Sequence, residues 1–341
     1  MLDKRELLYF SLQGLHLLKK ADKADVISDL MGLQAQFANN PKVALRIRAR
    51  DFKETDWDKG LVKIWSFRST LHVVAVDELP LYLSARGMSG AWEDSWFGLK
   101  KEVKPYWSAY LLDCIRSGTA EREALKAACR KQGMAEEMVG QVFQGWGGLL
   151  KEMCDRGMIA YETGTAKRFV PLNPVTFTGR DEARMTLISR YFSAFAPATL
   201  DDCAAFTGYG KREVVRLIEK SGLPLKSVQC DGTTYYHLHE LNGDGKIPSC
   251  LFLSGFDQLF MGYKDRGRMM DERDKRNVIT QTGIVFPTVL INGRMKARWK
   301  KEGATLTVTP FQTFTQKQRE AVQKNAAKLF PDEKVDVAFA E

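Results

Sequence analysis

The sequence predicts an α+β, mainly helical protein with a strand-rich C-terminal part, and three observations carry that prediction. A run of three helical segments followed by a two-stranded hairpin occurs three times along the chain. From about residue 249 the texture changes to short strands and glycine turns, as in a small β-barrel or sheet. With 341 residues, 44% hydrophobic and 27% charged, the chain can fill two to four compact units with real cores.

Composition narrows the function classes. No apolar run approaches the roughly 18 residues of a membrane helix, and Met1-Leu2-Asp3-Lys4-Arg5 leads into an amphipathic segment, so the expected compartment is the cytoplasm. The six cysteines include no C-x-x-C pair and read as free thiols. His237 and His239 lie near Cys230, but on an alternating strand they read as strand decoration, and neither a metal nor a cofactor is expected. A net charge of +9 and a pI near 9.1 favour anionic partners such as nucleic acid, without saying which.

In the first copy, Leu8, Leu12 and Leu15 share one face of a helix over residues 5–19. Val26, Leu30, Leu33 and Phe37 then recur at i, i+4, i+7 and i+11, the stripe of a second helix. A third runs from Pro41 to about residue 50, with Asn40 as N-cap and proline at N1. Residues 61–74 read as two strands of a hairpin, and three helices followed by a hairpin is the winged-helix order.

The second copy has a helix over 106–116, Thr119 placed to cap 121–131, and a helix marked by Val139, Val142, Phe143, Trp146, Leu150 and Met153. A hairpin over 158–171 follows, turning at Thr163-Gly164-Thr165 ahead of Lys167. The third has Ile188, Tyr191, Phe192 and Phe195 in register, a capping box at Thr199-x-x-Asp202, and a helix over 211–220. That last helix turns Val214, Leu217 and Ile218 inward and Lys211, Arg212 and Arg216 outward, ahead of a hairpin around Cys230-Asp231-Gly232. The expected divisions are 1–100, 101–180, 181–245 and a barrel-like 246–341. In the last, Arg294, Lys296, Arg298 and Lys300 alternate with Met295, Ala297 and Trp299, a row of cations that suits phosphate or simply a solvated strand face. The closing helix, 316–329, reads as a packing element.

One stretch stands apart. Residues 32–41 place four uncharged amides, Gln34, Gln36, Asn39 and Asn40, within seven residues between two helical runs. On a continuous helix Gln34 and Gln36 would point about 200° apart, so they converge only if the helix ends at or before them.

These residues resemble a known family, the AlkZ-like winged-helix DNA glycosylases, whose sister branch is the YcaQ type. Leu33-Gln34-Ala35-Gln36 is similar to the family's Gln-aliphatic-Gln motif and Arg68-Ser69-Thr70-Leu71-His72 to an Arg-small-Thr-aliphatic-His motif. Phe256-Asp257, then Gly262-Tyr263-Lys264-Asp265-Arg266, and the stretch Pro287-Thr288-Val289-Leu290-Ile291-Asn292-Gly293-Arg294 extend the likeness over nearly the whole chain. Ala35 is a minimal aliphatic residue and Lys264 stands where arginine is common; neither departure removes a reacting group.

The resemblance implies three tandem winged helices and a C-terminal barrel around a DNA duplex. It also implies a monofunctional glycosylase that hydrolyses the N-glycosidic bond of bulky N7-alkylated purines and unhooks interstrand crosslinks, with Gln34 and Gln36 holding the attacking water. Such a purine is already cationic and leaves without a proton donor, and carboxamides can orient a water although they cannot serve as its base. DNA contacts are expected from Asn39, Lys42, Arg46, Arg68, His72, Lys211, Arg212 and Arg298, with Arg48 and Arg50 as further phosphate candidates. Phe256, Asp257, Tyr263 and Arg266 could equally be structural, with Asp257 and Arg266 as a buried pair. The expected partner is alkylated or crosslinked double-stranded DNA, bound by a monomer. The competing class is a non-enzymatic winged-helix DNA binder, such as a transcription regulator, reading sequence through residues 211–220.

Overall fold

The computed structural model describes residues 1–88, 90–145, 148–164 and 168–340. The chain divides into two compact units, one of Met1–Trp57 with Leu187–Glu341 and one of Asp58–Thr186. The class is the expected one: helices dominate, with several sheets.

In the unit Asp58–Thr186, Leu61–Trp65 pairs antiparallel with Leu71–Ala75, and Ile159–Tyr161 with Phe169–Pro171. The sequence reads these as two separate hairpins; the structure joins them, with Lys63 opposite Tyr161, so that two strand edges satisfy each other. Their core combines Trp65 and Phe169 with Leu111, Leu125, Val142 and Met153 from the helices. The helix expected across 139–153 is in fact two, Glu136–Val142 and Leu149–Asp155. Glycine at 145, 147 and 148 explains the break, since each weakens a helix interior by about 1 kcal/mol. Thr119 does not cap the next helix, Arg122–Lys131, whose N-cap is Glu121. Trp146, Thr165 and Lys167 lie outside the described residues.

In the other unit, Leu8, Leu12 and Leu15 are buried as their spacing requires, although the helix proper is Lys4–Gly14. The capping box at Thr199 and Asp202 forms in both directions and opens Leu200–Thr207. Lys226–Cys230 and Thr233–His237 pair around Asp231 and Gly232, whose φ angles of 47° and 73° give the doubly left-handed turn that matches hairpin twist.

The C-terminal strands form one five-stranded sheet in the order Asp336–Phe339, Thr305–Pro310, Arg294–Glu302, Thr288–Ile291, Cys250–Leu253. Its outer strands are not paired to each other, so the sheet is open and the barrel alternative falls away. Helix Gln316–Leu329 makes the crossover into the parallel strand Asp336–Phe339. It buries Val322 and Ala326 in one core with Val289, Ala297 and Leu306, and Val43 and Ile47 of the helix Asn39–Arg48 pack against the same core.

Candidate functional site

The amide segment starts where a helix is forced to stop. Lys23–Asp29 ends at Leu30, and the N–H of Gly32 returns to the carbonyl of Ile27 at 2.9 Å. Met31 and Gly32 are both left-handed, with φ of 55° and 79°, which turns the chain out of the helix before the first glutamine. Leu33–Gln34 is then extended, a two-residue strand that ends before Gln36. The expected apolar stripe therefore stops early: Leu33 is buried, but Phe37 is 49% exposed. Gln34 is buried, Ala35 is buried, and Gln36 lies exposed in a bend.

The following helix begins two residues sooner than its sequence suggests, at Asn39, and runs to Arg48. Asn40 is thus inside the first turn and caps nothing. Its amide lies against Gly255, so close that a Cβ there would come within 2.8 Å of Asn40 Oδ1. Asn39, the first residue of the helix, is exposed.

Residues 256–258 brace this segment. Asp257 takes Arg48 in a bidentate pair at 2.6 and 3.1 Å, with side chains 2% and 0% exposed. Arg48 also donates to the carbonyl of Leu15, so it is a core group with nothing left for a phosphate. Asp257 accepts from Ser254 and from the N–H of Leu259 as well. Its partner is therefore Arg48 and not Arg266, which instead donates to the carbonyl of Phe260 and lies over that ring. Gln258 Nε2 donates to the carbonyls of Leu30 and Gly32 at 3.2 and 2.5 Å. The Phe256 ring sits 6.0 Å from that of Phe37. Tyr263 is buried and donates to the carbonyl of Phe195. Sequence reasoning passed over Gln258; its available signal was an uncharged amide opening the apolar run after Phe256-Asp257.

The other candidates differ in how free they are. Lys42 and Arg46 both pair with Glu54, and Arg46 is also flanked by the rings of Phe52 and Phe330 at 4.8 and 4.9 Å. With Asn39, Trp299 and Lys301 they line a pocket of about 300 Å³. Arg50 pairs with Asp22. Lys211 is exposed at the start of Lys211–Ser221 and meets Asp201 at 2.6 Å, and Arg212 beside it is exposed. The alternation along Arg294–Glu302 is real, but its cations are not a free row. Arg294 and Lys296 both bind Asp271, and these two, Lys296 first, hold its carboxyl down at about 2. Arg298 lies over the Phe286 ring at 4.3 Å.

In the unit Asp58–Thr186, Arg68 and Ser69 occupy the hairpin loop, both left-handed with φ near 54° and 53°. Two consecutive non-glycine residues in that region cost roughly 1–2 kcal/mol each. His72 faces inward and is fully buried, so it presents no atom to solvent. Burial, reinforced by the Arg68 charge, pushes its pKa down to about 3. The neutral ring donates from Nδ1 to the carbonyl of Thr70 at 3.2 Å, edge-on to Phe67.

The class is that of DNA glycosylases, hydrolases of N-glycosyl bonds: the AlkZ-like DNA glycosylase family matches residues 27–330, and the chain belongs to that family. Among its relatives, the interstrand DNA cross-link repair glycosylase of Streptomyces sahachiroi is 26% identical over 331 residues, covering 90% of this chain and 89% of that protein. The solved structure of Streptomyces sahachiroi DNA glycosylase AlkZ shares the fold, with a TM-score of 0.76 at 21% identity over 99% of this chain and 100% of that one.

Proposed function

We propose that the chain hydrolyses the N-glycosidic bond of bulky N7-alkylated purines, crosslinked ones included, with the attacking water held by Gln34 and Gln36. The observation that carries this reading is the end of helix Lys23–Asp29 before Gln34, which puts both amides on non-helical backbone and removes the 200° divergence of a continuous helix. The crosslink component is supported by the activity for which the Streptomyces sahachiroi relative is named.

N7 alkylation makes the purine a good leaving group, so the barrier lies in bringing water to an oxocarbenium-like centre. An amide oxygen accepts from that water and an amide N–H fixes its lone pairs, which is catalysis by orientation. The helix-then-hairpin copies, over 1–100, 101–180 and 181–245, act as winged helices on DNA, and residues 255–258 pack against the glutamine segment and the helix after it. Lys211, Arg212, Arg298 and Asn39 reach the backbone of the duplex, as does Arg68, whose loop rests on His72.

Base release from a duplex carrying N7-alkylguanine tests the reading. The parent releases the base, and Gln34→Ala and Gln36→Ala lose most of that rate while still binding DNA. Parental activity in both variants would overturn the water-holding role, and sequence-selective binding that ignores lesions would favour a regulator.

A further inference from the structure

We propose that Gln258 is a positioning residue for the reaction, holding the Gln34–Gln36 segment in its working geometry; this rests on the water-holding reading above. Both partners of its Nε2, the carbonyls of Leu30 and Gly32, are acceptors, so the orientation of the amide is settled by chemistry. Those carbonyls flank the left-handed turn at Met31 and Gly32, the step that takes the chain out of the helix and into Gln34.

Packing alone does not explain a glutamine here. The side chain is 2% exposed and its Oε1 is buried with no hydrogen-bond partner among the described residues. A buried acceptor left unmade is a standing cost that leucine or methionine would avoid. What the glutamine adds is the pair of donors that pins the turn. Its two predecessors hold neighbouring points, Phe256 against Phe37 and Asp257 on Arg48 at the far end of the next helix. Three consecutive residues therefore grip the entry, the exit and the following helix of the glutamine stretch. A reaction that works by aligning a water is sensitive to small displacements of this kind.

Gln258→Met keeps the length, removes both donors and leaves the Arg48–Asp257 pair in place. Expected are faster amide exchange over residues 31–37, unchanged duplex affinity, and a single-turnover rate on N7-methylguanine DNA lower by about 10- to 100-fold. Combined with Gln36→Ala, its loss should not add, because both changes disable one unit. Gln258→Leu, which also lacks both donors, makes the same comparison if the methionine variant folds poorly. Parental exchange, a parental rate, or losses that add would each overturn the proposal. Full activity in Gln34→Ala and Gln36→Ala strikes the water-holding reading instead, and exchange over 31–37 then still decides whether Gln258 holds the segment.

Discussion

Arg48 and Asp257 are 209 residues apart in sequence and meet as a fully buried, bidentate ion pair. The pair ties the last turn of Asn39–Arg48 to the start of the short helix Gln258–Met261. Removing one partner leaves the other charged, buried and alone, so Asp257→Ala should cost about 3–5 kcal/mol of stability. Chemical denaturation measures it; a loss below about 1 kcal/mol would place the pair among weak surface contacts.

His72 makes a pH prediction with a definite sign. Its folded pKa, about 3, lies below the ordinary 6.5, so the unfolded chain binds more protons between those values. The stability it contributes is complete above pH 6.5 and is lost as pH falls towards 3. His72→Phe should flatten the acid side of the stability profile, and the imidazole of the parent should show no NMR titration between pH 5 and 8.

Ion pairing sorts the basic residues by their reach for phosphate. Arg212→Ala should lower the slope of log K against log salt by about 0.9, and Lys211→Ala by less, because Lys211 meets Asp201 at 2.6 Å. Arg294→Ala and Lys296→Ala should leave that slope unchanged, because Asp271 already holds both side chains. Asp271→Asn should steepen it by loosening Arg294, whereas Lys296 keeps a second partner in Asp274 at 3.4 Å.

Gly14 ends the first helix against the carbonyl of Ala194. A Cβ at Gly14 would sit 2.1 Å from that oxygen, and backbone cannot swing aside as a side chain would. Gly14→Ala should destabilise by about 1–3 kcal/mol, read as a lower melting temperature.

Much of this was legible in the chain. Apolar periodicity located most helices, the pattern at Thr199 and Asp202 foretold a capping box, and Asp231-Gly232 foretold a tight hairpin turn, because each depends on neighbours within a few residues. The misreadings came where distant groups intervened. Asn40 has the chemistry of an N-cap, yet the helix already starts at Asn39 and the Asn40 amide lies against Gly255. Arg294 and Lys296 alternate as a cationic face should, yet Asp271 holds both side chains.

The sequence by itself determined the α+β class, the family motifs and the concentration of amides between Gly32 and Pro41. Tertiary structure alone decided that Asp257 belongs to Arg48, that His72 is buried and neutral, and that Gln258 pins the turn ahead of Gln34. The physical reason is range. Propensity, capping and turn chemistry act over a few residues, whereas desolvation, ion pairing and donor–acceptor matching depend on which distant segments the fold brings together.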